Sequence, residues 1–423
     1  MKNKKFISIL LMIISSALIL GSCGGGGGDG GNKEGGFAGS VDVTGKLLAP
    51  DGQTPIAGAV VYVPKDYSQQ ISISSFIQGQ SSIQCETPPE QYIAVTCTAA
   101  DGSFSLKVNV TGNKLTLKFK KGAFKKTISV DLTSSKLDLG NVNLPSDPNQ
   151  GAPKMAVVTG YYDAIENVLA KLGFGSINSG RLEPGTEKFD LYDGDYSLDD
   201  TKYPNFDDLF VDKDMDGKPD IYKYDIVFIN CGTGYENDIL TDSSKISIIR
   251  DYVEQGGRLY VTDLSYDFVE QVFPEFIDFY GSDSTPEIDP ENMDAAQVGN
   301  AGITTEADVL DNTLADWLAT VTCVDSSNNP VDCINTSTNK VHIEGFLGGW
   351  AVINGPHPSH SSDVKIWVKG YVSWSSGSGE KPLTVSFPVG KGKILYTSYH
   401  TEPTYYINGL LPQERILQYL VFF

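Results

Sequence analysis

Across residues 146–153 the chain runs Ser-Asp-Pro-Asn-Gln-Gly-Ala-Pro, and the hydrophobic pattern changes period from one side of that stretch to the other. Before it, apolar residues recur at every second position in SVDVTGKLL (40–48), GSFSLKVNV (102–110), KLTLKFKK (114–121), FKKTISVDL (124–132) and LDLGNVNL (137–144), with AGAVVYV (57–63) as a more continuous run. Gly, Asn and Ser punctuate these segments, and Pro50-Asp51-Gly52 is a turn. Short strands at this spacing predict an all-β sandwich over 40–145. After the linker the apolar runs are continuous and alternate with helical periods. Lys154–Gly160 is a strand, 163–172 a helix, and Phe189–Tyr192 and Tyr224–Asn230 further strands. Ser243–Gln255 is an amphipathic helix stopped by Gly256-Gly257, and 258–262 is a strand. Residues 267–279 read as helix, and the chain closes with 383–387, 393–398 and a helix from Pro412. Strand–helix alternation predicts a parallel sheet covered on both faces, so 154–423 is an α/β domain and the chain as a whole is multi-domain.

The N-terminus sets the compartment. Lys2, Lys4 and Lys5 precede an uncharged apolar run over 6–20 and then Leu20-Gly21-Ser22-Cys23. This is the pattern of a secretory leader, and the run is shorter than the ~20 residues a spanning helix needs. The Cys and the small residues before it resemble the lipobox of bacterial lipoproteins. That resemblance implies cleavage after residue 22 and lipid on Cys23, hence a membrane partner held through acyl chains at roughly 0.8 kcal/mol per buried CH₂. Gly24, rather than Asp, after the Cys implies a cell-envelope location at the outer membrane. Residues 23–39 are Gly-rich and read as a flexible tether.

Composition narrows the partners. The net charge is −21, and loss of the three leader lysines makes it −24. A chain this acidic, with no basic stripe, is not built for nucleic acid. Its 21 Tyr, 19 Phe and 4 Trp suffice for packed cores. An exported chain permits disulfides. Cys85 with Cys97, and Cys323 with Cys333 around a turn-rich stretch, are the expected bridges. Cys231 is left over.

Val43-Thr44-Gly45-Lys46, Pro55-Ile56-Ala57-Gly58-Ala59-Val60-Val61 and Ala100-Asp101-Gly102-Ser103-Phe104 resemble the carboxypeptidase regulatory-like domain, a prealbumin-like sandwich. The resemblance implies a non-catalytic stalk or packing module. In the second half, Tyr224–Asn230 followed by Cys-Gly-Thr-Gly, the helix end at Gly256-Gly257, and the closing GKGKILYTSYHTEP resemble the class I glutamine amidotransferase-like fold, flavodoxin-like in layout, over about 154–280 and 381–423. Residues 281–380 then read as an insertion. The family's nucleophilic Cys sits at the strand–helix elbow after the Gly-Gly helix, and here that elbow carries Asp263. His400-Thr401-Glu402 falls on the family's His-x-Glu. Cys231, Asp263, Ser265, His400 and Glu402 are therefore the candidate site at the strand ends. They form a binding or vestigial site, or a hydrolytic one with Cys231 or Ser265 as nucleophile, His400 as base and Glu402 orienting it; a different strand order would scatter them. A separation of His400 from the others beyond about 6 Å would remove the hydrolytic option.

Asp212-Lys-Asp214-Met-Asp216-Gly217-Lys218-Pro-Asp220 places hard oxygens at alternate positions, with a carbonyl from Lys218 and a glycine at the reversal. Such a set suits Ca²⁺, although Lys223 stands where an EF-hand has its bidentate Glu. His357-Pro358-Ser359-His360 with Asp363 is a zinc-type set, but the Pro breaks helical spacing and it reads as a loop. The expectation is a calcium-stabilised surface lipoprotein that binds an unknown surface ligand or envelope protein, with an extracytoplasmic hydrolase as the alternative.

Overall fold

The computed structural model describes residues 38–65, 83, 85–194, 198, 201–232, 235–281, 292–401 and 407–423. The leader, Cys23 and all but the last two tether residues lie outside the described residues; the first strand starts at Ala38. Among the described residues no helix is long and apolar enough to cross a membrane.

The period-2 segments form two facing sheets. In one, Ala38–Leu48 pairs antiparallel with Ser103–Thr111 and parallel with Lys136–Asn143. The other runs in the order Tyr92–Cys97, Val60–Pro64, Lys114–Lys121, Phe124–Asp131. Alternation does the sorting: Phe104, Leu106, Val108 and Val110 face inward while their neighbours face water. Tyr92–Cys97 has no counterpart in the sequence reading, and it carries Cys97, which is bonded to Cys85. Cys323 is bonded to Cys333 across the small hairpin of Thr322–Val324 and Pro330–Asp332.

The α/β half is built on one nine-stranded sheet. Asp190–Asp193, Met155–Thr159, Ile226–Ile229, Arg258–Thr262 and Gly392–Thr397 are parallel neighbours in that order. Met155–Thr159 and Ile226–Ile229 are buried at every position, as strands covered on both faces must be. Beyond Gly392–Thr397 the sheet turns antiparallel through Gly377–Val389, Lys365–Trp374, Thr305–Val309 and Lys340–Ile343. Three of these strands come from the stretch read as an insertion, so that stretch extends the main sheet. The helix expected over 267–279 ends early: Asp267–Glu270 is helical, and Ile277–Phe279 pairs with Ile353–Pro356. Pro274 lies between them, and without an N–H it cannot continue the helix.

The sandwich is joined to the α/β half by a shared core rather than standing off as a separate stalk. Phe124, fully buried, packs 4.6 Å from the ring of Phe422 and 5.8 Å from that of Phe174. Gly122, at φ +56 in the hairpin before it, presses on the same place: a Cβ there would lie 2.5 Å from the Phe422 carbonyl. Trp317 Nε1 donates to the Pro55 carbonyl at 2.7 Å, and the Asp51 amide donates to the Leu172 carbonyl at 3.0 Å. Residues Phe37–Phe423 accordingly form one unit. Replacing Phe124 by Ala should cost about 3–5 kcal/mol, as for other buried Phe truncations. It should lower the midpoint of a single calorimetric transition. Two separable transitions in the unmodified chain, only one of them moved by Phe124→Ala, would contradict a shared core.

Candidate functional site

Parallel pairing brings the carboxyl ends of four strands to one edge of the sheet, the edge at which open α/β sheets bind ligands. The residues just past those ends are Asp163 and Glu166, Asn230 and Cys231, Asp263 and Ser265, and His400 and Thr401. Gly160 permits the crowding, since a Cβ there would stand 2.0 Å from the Cys231 carbonyl oxygen.

Asp263 is the elbow. Strand Arg258–Thr262 turns at it into the single helical turn Asp263–Tyr266, and its φ is +48, a region that few residues other than glycine enter. Neighbours hold this conformation: the Tyr396 hydroxyl donates to the Asp263 carbonyl at 2.7 Å, and the Cys231 amide donates to Thr262 Oγ1 at 2.9 Å. The carboxylate is 1% exposed, and its Oδ2 lies 3.0 Å from Nδ1 of His400, itself 3% exposed. The angle is wrong for a hydrogen bond. Asp263 Oδ2 and both ring nitrogens of His400 are buried without a hydrogen-bond partner. Burial pushes the Asp263 carboxyl up to about 7, with His400 opposing the rise and Asp163 adding to it.

Cys231, Asp263 and His400 come together, each offering a donor atom within 4.8 Å of the other two. The His400–Asp263 contact is well inside the separation that the hydrolytic option required. The two proposed nucleophiles are poorly placed for attack, however. Burial pushes the Cys231 thiol well above its ordinary pKa, and a thiol is nucleophilic only when ionised. Ser265 is fully buried; its Oγ donates to the Asn230 carbonyl at 2.9 Å and lies 2.8 Å from the Tyr235 hydroxyl. Glu402 lies outside the described residues.

Asp163, Glu166, Asn230 and Thr401 were not legible as site residues in the sequence. Asp163 accepts from the Thr401 amide at 3.1 Å and from Thr401 Oγ1 at 3.0 Å, tying the first strand's end to the closing segment. Glu166 accepts from Asn230 Nδ2 at 2.9 Å, and burial pushes its carboxyl up to about 7. The available signal was positional: both acids follow Gly160, at the end of the first α/β strand.

In the acidic loop, Asp212, Asp214 and Asp216 bring one oxygen each within 4.8 Å of one another, with Met215 at φ +62 and Gly217 at φ +91 making the reversal. Asp220 is turned elsewhere. It accepts from Lys223 Nζ at 2.6 Å and from the Lys213 amide at 3.2 Å. Lys223 also pairs with Asp214 at 2.9 Å, so the twelfth position contributes an ammonium where an EF-hand has a carboxylate. The Lys218 ammonium lies 5.5 Å over the Tyr222 ring. His357 contacts Ser359 Oγ at 2.6 Å and His360 contacts Asp363 at 3.0 Å, two separate contacts within a turn. A cleft of about 600 Å³ between the sandwich and the α/β half is lined by Thr54, Lys171, Thr320 and Arg415. Its two cations are already engaged, Lys171 by Glu414 and Arg415 by the Thr322 carbonyl.

The sheets define the class: a multi-domain, β-rich protein with an α/β domain. No protein-family model and no curated protein matches the sequence. Among solved structures, 64% of the chain aligns with 98% of a cytoplasmic protein from Salmonella typhimurium, at 13% identity and a TM-score of 0.33. The same share aligns with 89% of a ThuA-like protein from Bacteroides uniformis ATCC 8492, at 11% identity and a TM-score of 0.33. A cytoplasmic protein from Salmonella typhimurium LT2 is similar over 64% of this chain and 96% of its own, at 13% identity and a TM-score of 0.28.

Beside this edge, Asp267 is fully buried, accepting from the Asp294 amide and from Gln271 Nε2, both at 3.2 Å. Burial, with the charge of Asp294 adding, pushes its carboxyl up to about 7. The folded chain thus holds a proton that the unfolded chain releases near pH ~4. The stability this supplies is full below that pH and is lost as the pH rises through about 7. In urea titrations, Asp267→Asn should flatten the decline, shifting the variant-minus-parent stability by up to about 4 kcal/mol between acid and mildly alkaline pH. A difference independent of pH would contradict the assignment.

Proposed function

We propose that this chain is a lipid-anchored envelope protein whose α/β domain, laid out like the flavodoxin-like class I amidotransferases, binds a ligand at the Asp263–His400 edge without nucleophilic catalysis. The observation that carries the reading is the elbow itself. It holds a carboxylate at φ +48 where the amidotransferase pattern has a thiol. The Cys231 thiol is buried, and the Ser265 hydroxyl is engaged with Asn230 and Tyr235. A carboxylate beside an imidazole is suited to receiving polar groups of a ligand. In this reading Cys23 carries the lipid, the Gly-rich segment gives reach, and the sandwich is the rigid base on which the α/β domain stands.

A second reading is favoured by the 3.0 Å contact of His400 with Asp263. In an extracytoplasmic hydrolase, His400 would take a proton from water and Asp263 would orient the ring. One set of assays separates the two. The full chain and His400→Ala are offered ester, amide and glycoside substrates and, by thermal shift, soluble peptidoglycan fragments and envelope oligosaccharides. Binding without catalysis predicts no turnover that depends on His400, and a ligand-induced rise in melting temperature that is lost in Asp263→Asn. Turnover abolished by His400→Ala would establish the hydrolase instead. In the same cells, Cys23→Ser should move the protein from the membrane to the soluble fraction; retention in the membrane would sink the anchor.

The acidic loop is read as a structural Ca²⁺ site with Asp212, Asp214 and Asp216 as carboxylate ligands, joined by the Lys218 carbonyl and, once Lys223 releases it, by Asp220. Calcium must then compete with the Lys223 ammonium for Asp214 and Asp220, which makes for a weak site. Millimolar Ca²⁺ should raise the melting temperature by a few degrees, about 1–2 kcal/mol by mass action. Asp212→Asn should abolish the rise, and an equal rise in that variant would refute the site.

A further inference from the structure

We propose that Cys231, Asp263 and His400 form a zinc site. The three residues follow three neighbouring parallel strands, Ile226–Ile229, Arg258–Thr262 and Gly392–Thr397, so sheet pairing alone delivers them to one point. They offer one sulfur, one oxygen and one nitrogen, all within 4.8 Å of each other. Ligands at zinc's usual bond lengths sit roughly 3.3–3.8 Å apart, so side-chain adjustment closes the set.

A second observation points the same way. Asp263 Oδ2 and His400 Nδ1 face each other at 3.0 Å without a hydrogen bond, and His400 Nε2 has no hydrogen-bond partner either, in side chains only 1% and 3% exposed. Each such atom costs roughly 1–3 kcal/mol unless something replaces the lost water, and a cation held by the carboxylate and one ring nitrogen does so. Charge agrees: a thiolate, a carboxylate and a neutral imidazole around Zn²⁺ sum to zero, which suits a buried place. Binding breaks the Cys231 S–H bond, forms a sulfur–zinc bond and releases the proton to solvent. Sulfur and nitrogen donors exclude Ca²⁺ and Mg²⁺, which take oxygen. Three protein ligands leave zinc's fourth position for water or for an oxygen of a bound molecule. The inference deepens the binding reading above and rests on it for the ligand, though not for the metal.

The test is metal content by mass spectrometry on the full chain purified without chelator and dialysed against zinc. The expected result is about one zinc per chain, lost in Cys231→Ser and in Asp263→Asn and kept in Asp212→Asn, which rules the acidic loop out as the carrier. Replacement by Co²⁺ should give a thiolate-to-cobalt charge-transfer band that is absent in Cys231→Ser, with the variant's fold checked by circular dichroism. The Co²⁺ spectrum of the unmodified chain keeps the test decisive even if a variant fails to fold. No zinc uptake, or a folded parent whose cobalt spectrum lacks the thiolate band, overturns the proposal. If zinc is absent while Asp263→Asn still abolishes ligand-induced stabilisation, the zinc site fails and the binding reading stands. If zinc binds through these residues and no ligand in the screen responds to Asp263→Asn, the zinc site stands and the binding reading fails.

Discussion

The ring of Phe124, held between Phe422 and Phe174, is the contact on which the rest of the arrangement leans. Phe422 follows directly on the closing helix Pro412–Val421, so the sandwich braces that helix from below. The helix reaches back to the site: Gln413 Nε2 donates to the His400 carbonyl at 3.3 Å and to the Glu344 carbonyl at 2.7 Å. Glu414 is fixed by Lys171 at 2.8 Å in a pair almost wholly removed from water. Breaking one partner of such a pair leaves an uncompensated buried charge, which is why it holds the helix in register. The path from sandwich to His400 is therefore a continuous set of packed contacts.

At the site, the carboxylate at the elbow limits what the edge can do. The φ of +48 at Asp263 is paid for by the Tyr396 and Thr262 hydrogen bonds around it. Strain of this kind persists where the surroundings over-determine it, and here it sets one side chain among the ends of the neighbouring strands. Here that side chain is an oxygen donor beside a histidine and a thiol. Ionising it in so buried a place is costly, as the upward displacement of its carboxyl shows. A cation or a polar ligand at this edge would offset that cost.

Much of this was readable from residues 38–423 without coordinates. The period change around the linker separated sandwich from α/β sheet because strand burial is written in alternation, and buried parallel strands are written in continuous apolar runs. The two bridges were expected from the placement of the cysteines, and the elbow at Asp263 and its meeting with His400 were what the resemblance to the amidotransferase-like fold implied. What stayed hidden was set by partners distant in sequence. Thr305–Val309 and Lys340–Ile343 look like any half-exposed strands, and only pairing with each other and with Lys365–Trp374 makes them part of the main sheet. Asp163 looked like the start of a helix until Thr401, 238 residues on, donated to it.

By itself, then, the sequence determined the local periods, the reversal at Gly217 and the kinds of side chain available at each strand end, because these depend on neighbours a few residues away. Tertiary structure alone decided that the sandwich shares a core with the α/β half, that Ser265 is engaged with Asn230 and Tyr235, and that Cys231, Asp263 and His400 meet with their side chains almost wholly buried. Burial and partner choice are properties of the packed whole: whether a carboxylate, an imidazole and a thiol are reactive, paired or ready to hold a metal depends on the water they have lost, and no local pattern records that.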